Sequence, residues 1–169
     1  EMVLGGQVNK GIVNLINRLP VDEFQHVIIA LTEATDFRTR LKRNDVVIHS
    51  LHKQPGKDPA TYLRLFKLLR KLRPDVVHTR NFGTLDCQVV ARLAGVPIRI
   101  HGEHGWDIYD PDGTNRKYRA VRRAVNPLLH RFVAVSRDLE TWLIERVGIS
   151  ASKVRRICNG VDTDRFQPA

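Results

Sequence analysis

The sequence predicts an α/β protein, a doubly wound parallel sheet with helices on both faces. Three observations carry that expectation. Short apolar runs recur along the chain, amphipathic stretches at helical spacing separate them, and glycine or proline marks most junctions. Short strands alternating with helices build right-handed βαβ units, which bury a parallel sheet from both sides.

Met2-Val3-Leu4 precedes Gly5-Gly6, so the first strand is either very short or truncated at its start. The glycine pair opens a helix in which Ile12, Leu15, Ile16 and Leu19 recur at helical spacing and which Pro20 ends. His26 to Leu31 and Val46 to Ile48 are strand runs, followed by a turn-rich loop from Lys53 to Pro59. From Asp58 to Arg73, Tyr62, Leu65, Phe66, Leu69 and Leu72 mark one helix face, with Arg64, Lys67, Arg70 and Lys71 on the others. Asp75 to His78 is a strand, Leu85 to Leu93 a helix closed by Gly95, and Val96 to Ile100 a strand entering a glycine-rich loop. A basic helix spans about Asn115 to Asn126, and Phe132 to Val135 is a strand. Ser136 caps a helix through Val147, and Val154 to Ile157 is the last strand.

A chain of 169 residues with 42% hydrophobic content fits one domain with a sizeable core. It has no run of about 18 apolar residues and no signal-peptide pattern at its start, which predicts a cytoplasmic protein. Cys87 and Cys158 lack metal-ligand spacing and read as reduced thiols. The formal charge of +10 favours an anionic partner: nucleic acid, a phosphorylated ligand or an anionic membrane surface.

Ligands of an open parallel sheet gather beyond the carboxyl ends of its strands, so those loops hold the candidate sites. Gly5-Gly6 either brings backbone N–H groups close to an anion or is a plain turn. After the strand ending at His78, His78 and Arg80 either line a site or serve structure, while Asn81 and Thr84 are placed to cap the next helix. The loop His101-Gly102-Glu103-His104-Gly105-Trp106-Asp107 is the densest titratable cluster, suited to proton transfer or to binding sugar hydroxyls. Its spacing matches no metal motif, and glycines 102 and 105 suit an irregular backbone. Arg116, Lys117, Arg119, Arg122 and Arg123 lie on the basic helix with no acid among them, which predicts either a solvated face or contact with anionic lipid at the inner face of a membrane. Few aromatic residues interleave with these cations, which counts against nucleic acid.

The chain closes on Ile157-Cys-Asn159-Gly160-Val-Asp162-Thr-Asp-Arg-Phe166-Gln-Pro168, a strand end, a tight turn and an exit. This run resembles the hinge of retaining family 4 glycosyltransferases. Asp75-Val-Val-His-Thr-Arg80 is similar to the family's P-D-V-V-H strand, and Phe132-Val-Ala-Val-Ser136 to its V-x-x-V-S strand. The His101 to Asp107 loop looks closest to bacterial exopolysaccharide-associated sugar transferases.

The resemblance implies the N-terminal, Rossmann-like half of a GT-B enzyme, with residues 1–157 as the acceptor-side domain, 158–169 beginning the interdomain hinge, and a donor domain outside the chain. It implies sugar transfer from a nucleotide-sugar substrate to a saccharide or lipid-linked acceptor, with no further cofactor. On this pattern Gly5 and Gly6 approach the donor phosphates, and His104 lies near the transferred sugar with Glu103 as its catalytic neighbour. His78, Arg80, Trp106 and Asp107 bind substrate, and Asn159, Gly160 and Asp162 form the hinge. The departures are the missing usual first strand and Gln7-Val8 in place of the family's glutamate. Two rivals remain, a basic nucleotide- or nucleic-acid-binding module and a nucleotide-sugar epimerase of the same fold.

Overall fold

The computed structural model describes residues 2–5, 10–33 and 39–160. Its seven strands are β1 Met2–Gly5, β2 Val27–Ala30, β3 Val47–Ser50, β4 Val76–Arg80, β5 Ile98–Glu103, β6 Arg131–Ala134 and β7 Val154–Arg156. All pair in parallel, in the order β3-β2-β1-β4-β5-β6-β7. The chain builds outward one way from β1 to β3, then returns to the other side of β1. The usual first strand is therefore present: β1 is four residues long and pairs with both β2 and β4 in the interior of the sheet.

The connecting helices are α1 Lys10–Arg18, α2 Pro59–Leu72, α3 Cys87–Leu93, α4 Arg116–Val125 and α5 Arg137–Thr141, the last continuing as a wider π-helical turn over Trp142–Val147. Several start at a capping side chain, and of these the sequence predicts Ser136. Asp58 accepts from the Thr61 N–H, Asn115 from the Lys117 N–H and Ser136 from the Leu139 N–H, each satisfying a donor that the first turn leaves unpaired. Gly148, at φ 82°, ends the turn after α5 in a left-handed conformation that glycine adopts without strain.

Alternation along the strands sorts the core. Ile28 packs with Ile12, Val13 and Ile16 of α1, whereas its neighbour Ile29 joins Leu65 and Leu69 of α2 and Val90 and Ala91 of α3. Phe132, Ala134 and Val154 pack against Leu139, Leu143 and Val147. Helices cover both faces, but unevenly. Among the described residues α1 serves one face alone, over β2 and β3, and the remaining helices share the other.

Two strands run further than the sequence reading placed them. β4 includes Thr79 and Arg80, and β5 continues through His101, Gly102 and Glu103, all expected in loops. Gly102 therefore sits in regular strand rather than in an irregular backbone. Strand alternation sends His101 and Glu103 into the many-helix side, where both are buried. Thr79 Oγ1 meets His101 Nδ1 at 2.7 Å and accepts from Gln88 Nε2 at 2.7 Å, and His101 Nε2 lies 3.3 Å from Glu103 Oε1.

Glu103 and Arg122 anchor α4 to the sheet. Arg122 Nε donates to Oε1 at 2.6 Å and Nη2 to Oε2 at 3.2 Å, a two-pronged pair in which the glutamate is 1% and the arginine 3% exposed. The guanidinium carbon lies 4.6 Å from the Phe82 ring centre and 4.9 Å from that of Trp142. Burial by itself would raise the Glu103 carboxyl; His101 and then Arg122 outweigh it and hold the group at about 2. Two expectations are corrected here. Arg122 does not face outward, and Glu103 is a structural anchor directed away from the open face of the sheet.

The other cations of α4 differ in use. Arg123 donates to the Val147 and Arg146 carbonyls, closing the end of the turn after α5. Arg119 donates to the Thr114 carbonyl at 3.3 Å and is half-buried, whereas Arg116 and Lys117 are exposed. The predicted outward row is thus reduced to its first two members with Arg123 at the helix end.

Glu103→Ala should cost about 3–5 kcal/mol in urea unfolding, because Arg122 is left buried and unpaired. Lowering the pH from 4.5 toward 2 should remove the stability tied to the depressed Glu103 carboxyl, since the unfolded chain binds that proton first. That part of the acid loss should be missing from Glu103→Gln.

Candidate functional site

A cleft of about 470 Å³ runs along α1 over the face that the other helices leave open. It lies beside the point where strand order reverses between β1 and β4, the place at which open α/β sheets hold ligands. Ile12, Asn14, Leu15 and Arg18 form the α1 wall, Ile100 and Val133 floor it, and Ile157 to Gly160 form the wall beyond β7. His78, Arg80 and His104 bring polar chemistry into an otherwise mainly apolar trough.

The floor follows from strand register. His78 of β4 pairs with Ile100 of β5, and Arg80 pairs with Gly102, so these side chains share the open face. Gly102 leaves a bare patch beneath them. A Cβ there would lie 2.5 Å from His104 Nε2 and 2.9 Å from His78 Nε2, so the two imidazoles converge over the glycine only because it has no side chain. The ring centres of His78 and His104 are 6.2 Å apart.

His104 is held from two directions. Its backbone N–H donates to Asn81 Oδ1 at 2.9 Å, and Arg80 Nη2 lies 2.6 Å from its Nδ1. Asn81 stands at φ 61°, a sparsely populated backbone region for a non-glycine residue, and its own N–H donates to the Gly102 carbonyl. This corrects the expected capping role: the Asn81 side chain makes no cap bond and clamps His104 instead. Thr84 caps no helix either: its hydroxyl accepts from the Arg80 N–H at 2.9 Å and donates to the Arg80 carbonyl at 2.8 Å, closing the turn that follows β4. Burial, then the nearby Arg80 charge, with smaller contributions from His78 and His101, pushes His104 down to about 3. Glu103 acts weakly in the opposite sense.

Of the residues singled out in sequence, the cleft brings together His78, Arg80, His104, Asn159 and Gly160. Trp106 and Asp107 lie elsewhere. The Trp106 ring meets Trp142 edge to face at 5.3 Å, and Asp107 Oδ1 accepts from the Tyr109 N–H at 2.8 Å within the turn that leads to α4. Gly5 ends β1, while Gly6 and Asp162 fall outside the described residues. Asn14 and Arg18 escaped the sequence reading, which gave Gly102 no more than an irregular backbone. Gly102 carried a signal nonetheless: it lies two residues from Ile100 and from His104, at the spacing of one strand face. Among the described residues no three His, Cys, Asp or Glu side chains gather at metal-ligand spacing.

The family model described as Glycosyltransferase Family 4 matches residues 5–165. A curated relative, the UDP-Gal:alpha-D-GlcNAc-diphosphoundecaprenol alpha-1,3-galactosyltransferase of Escherichia coli, is 31% identical over 119 residues, covering 67% of this chain and 30% of the relative. Among solved structures, Anabaena Alr3699/HepE in complex with UDP and glucose superposes with a TM-score of 0.72 at 16% identity, over 96% of this chain and 45% of that one. A Rickettsia africae glycosyltransferase gives 0.73 at 21%, over 98% and 45%. A UDP-N-acetylglucosamine 2-epimerase from Rickettsia bellii gives 0.61 at 14%, over 99% and 47%. The chain spans less than half the length of these structures, and its fold is the N-terminal, Rossmann-like half of the GT-B architecture. The match along nearly the whole sequence, together with that fold, places the chain in Glycosyltransferase Family 4.

Proposed function

We propose that this chain is the acceptor-side half of a retaining glycosyltransferase that moves a sugar from a nucleotide-sugar donor to a lipid-linked saccharide during polysaccharide or glycolipid synthesis. The observation that carries this reading is the cleft beside the reversal of strand order, where His104, His78 and Arg80 meet over Gly102. Family membership supplies the reaction class. The UDP bound by the Anabaena protein and the diphosphoundecaprenol acceptor named for the Escherichia coli relative support a UDP-sugar and a lipid-linked acceptor.

In this reading residues 1–157 form the acceptor-side domain, and Asn159, Gly160 and Asp162 belong to a hinge toward a donor domain. Catalysis then consists of placing the acceptor hydroxyl and stabilising the departing diphosphate. Arg80 and Arg18 supply positive charge along the cleft, His104 a hydrogen bond to the sugar or phosphate, and the Gly5-Gly6 backbone further N–H donors. An epimerase would use a similar fold on a nucleotide sugar without an acceptor, and the likeness to the Rickettsia bellii enzyme is the observation that favours this second reading.

A lipid-linked acceptor would bring the protein to an anionic membrane surface on the cytoplasmic side. No helix among the described residues is long and apolar enough to cross a membrane. The fullest outward cationic face lies on α2 rather than α4. Lys67, Arg70, Lys71 and, just past the helix end, Arg73 are exposed, and Leu63, 55% exposed, stands among them, while Arg64 is paired with Asp58 at 2.8 Å. Each cation near such a surface contributes about 1 kcal/mol.

The full natural polypeptide, assayed against a panel of UDP-, GDP- and ADP-sugars, should transfer sugar from a UDP donor with retained anomeric configuration. His104→Ala should lower kcat by about 100-fold. The isolated 169-residue chain should be close to inactive; steady turnover by it would refute the half-enzyme reading, and epimerisation without an acceptor would favour the second. Lys67→Gln, Arg70→Gln and Lys71→Gln together should weaken sedimentation with phosphatidylglycerol vesicles, and unchanged sedimentation would remove α2 as the contact surface.

A further inference from the structure

The contacts around His104 point to a role for Arg80 that the proposed function leaves open. We infer that Arg80 is a positioning residue: its guanidinium, placed 2.6 Å from His104 Nδ1 and backed by the Asn81 clamp, holds His104 as a neutral imidazole whose Nε2 carries the proton over Gly102. A guanidinium can only donate, so Nδ1 must accept, and the single proton of a neutral ring is then on Nε2. That N–H has no hydrogen-bond partner among the described residues. A buried donor left unpaired is costly, so an acceptor from outside the chain completes the site. The chemical class is an oxygen acceptor, a sugar hydroxyl or a phosphoryl oxygen. His104 therefore works as a fixed hydrogen-bond donor and not as a general acid or base.

The groups facing the ring agree with this assignment. Arg80 and His78 approach from β4, His101 and Glu103 lie on β5 beneath it, and Arg18 of α1 lines the same cleft. The cations and the loss of water both disfavour an imidazolium, and Glu103 opposes them little because Arg122 already neutralises it. Gly102 is the second requirement: Gly102→Ala would set a methyl group 2.5 Å from Nε2 and push the ring off the floor.

The inference rests on the transferase reading only for its kinetic consequence, so the decisive measurement needs no turnover. In the full natural polypeptide, ¹⁵N NMR of the histidine side chains should show His104 as the Nε2–H tautomer with no titration between about pH 5 and 8. Arg80→Met should raise the His104 ionisation above its wild-type position, with burial still holding it down, and should let the ring proton move to Nδ1, whereas Arg80→Lys, which keeps a cationic donor, should leave both as in wild type. A wild-type His104 that titrates in the window, a proton found on Nδ1, or an Arg80→Met spectrum identical to wild type would overturn the inference, whatever the enzyme's substrate. In the transfer assay Arg80→Met should lower kcat by about 10- to 100-fold through misplacement of the donor. His104→Gln, which retains an N–H without a titratable proton, should keep more activity than His104→Ala; equal losses would restore an acid–base role. If transfer is absent throughout while the NMR result stands, the proposed reaction fails and the positioning role does not.

Discussion

Glu103 and Arg122 meet in the interior with both prongs of the guanidinium engaged and the rings of Phe82 and Trp142 packed close to it. A buried ion pair of this kind gives little net stability over an apolar pair, because desolvating two charges offsets most of their attraction. What it supplies is selection among registers. Glu103 cannot face the open side without leaving Arg122 unpaired, so the orientation of β5 is settled. Since side chains alternate along a strand, Gly102 must then face the opposite way. The bare patch under His104 and the anchor of α4 are thus two sides of one alternation.

The uneven distribution of helices makes that open face useful. With α1 covering only one part of its face, the strands on the far side of the chain reversal keep an uncovered surface, and the cleft forms against it. The residues that give it chemistry come from the ends of β4 and β5, which lie side by side in register. Rigid strands carry His78 and Arg80, and His104 is tied to β4 through Asn81 and Arg80. This is preorganisation in a literal sense: the histidine's orientation is set by groups that a ligand need not move.

The large positive charge has several uses rather than one. Arg122 and Arg123 of the basic helix are tied to an internal carboxylate and to helix-end carbonyls, and Arg80 faces a histidine. Outward charge is carried by Arg116 and Lys117 of α4 and by α2, whose apolar face is committed to the core through Leu65 and Leu69. A run of arginines in sequence is consequently a poor guide to surface potential, because a long guanidinium reaches inward as readily as outward.

Much was legible beforehand. The order of strands and helices followed from apolar periodicity and turn residues, the cap Ser136 from residue type and position, and the family from ordered motifs ending in the Asn159-Gly160 turn. These are local properties, readable because neighbouring residues create them. The sequence also marked the correct loop cluster, but it could not separate Glu103 from His104. Adjacent positions on a strand point to opposite faces, and which face is open depends on helices elsewhere in the chain. The pairing of Asn81 with His104, the burial of Arg122 and the reason for Gly102 all join residues that lie distant in sequence or on different elements. Only the packing of strand against strand and helix against sheet brings such groups together, and so only the tertiary structure decided which of the marked residues face the cleft.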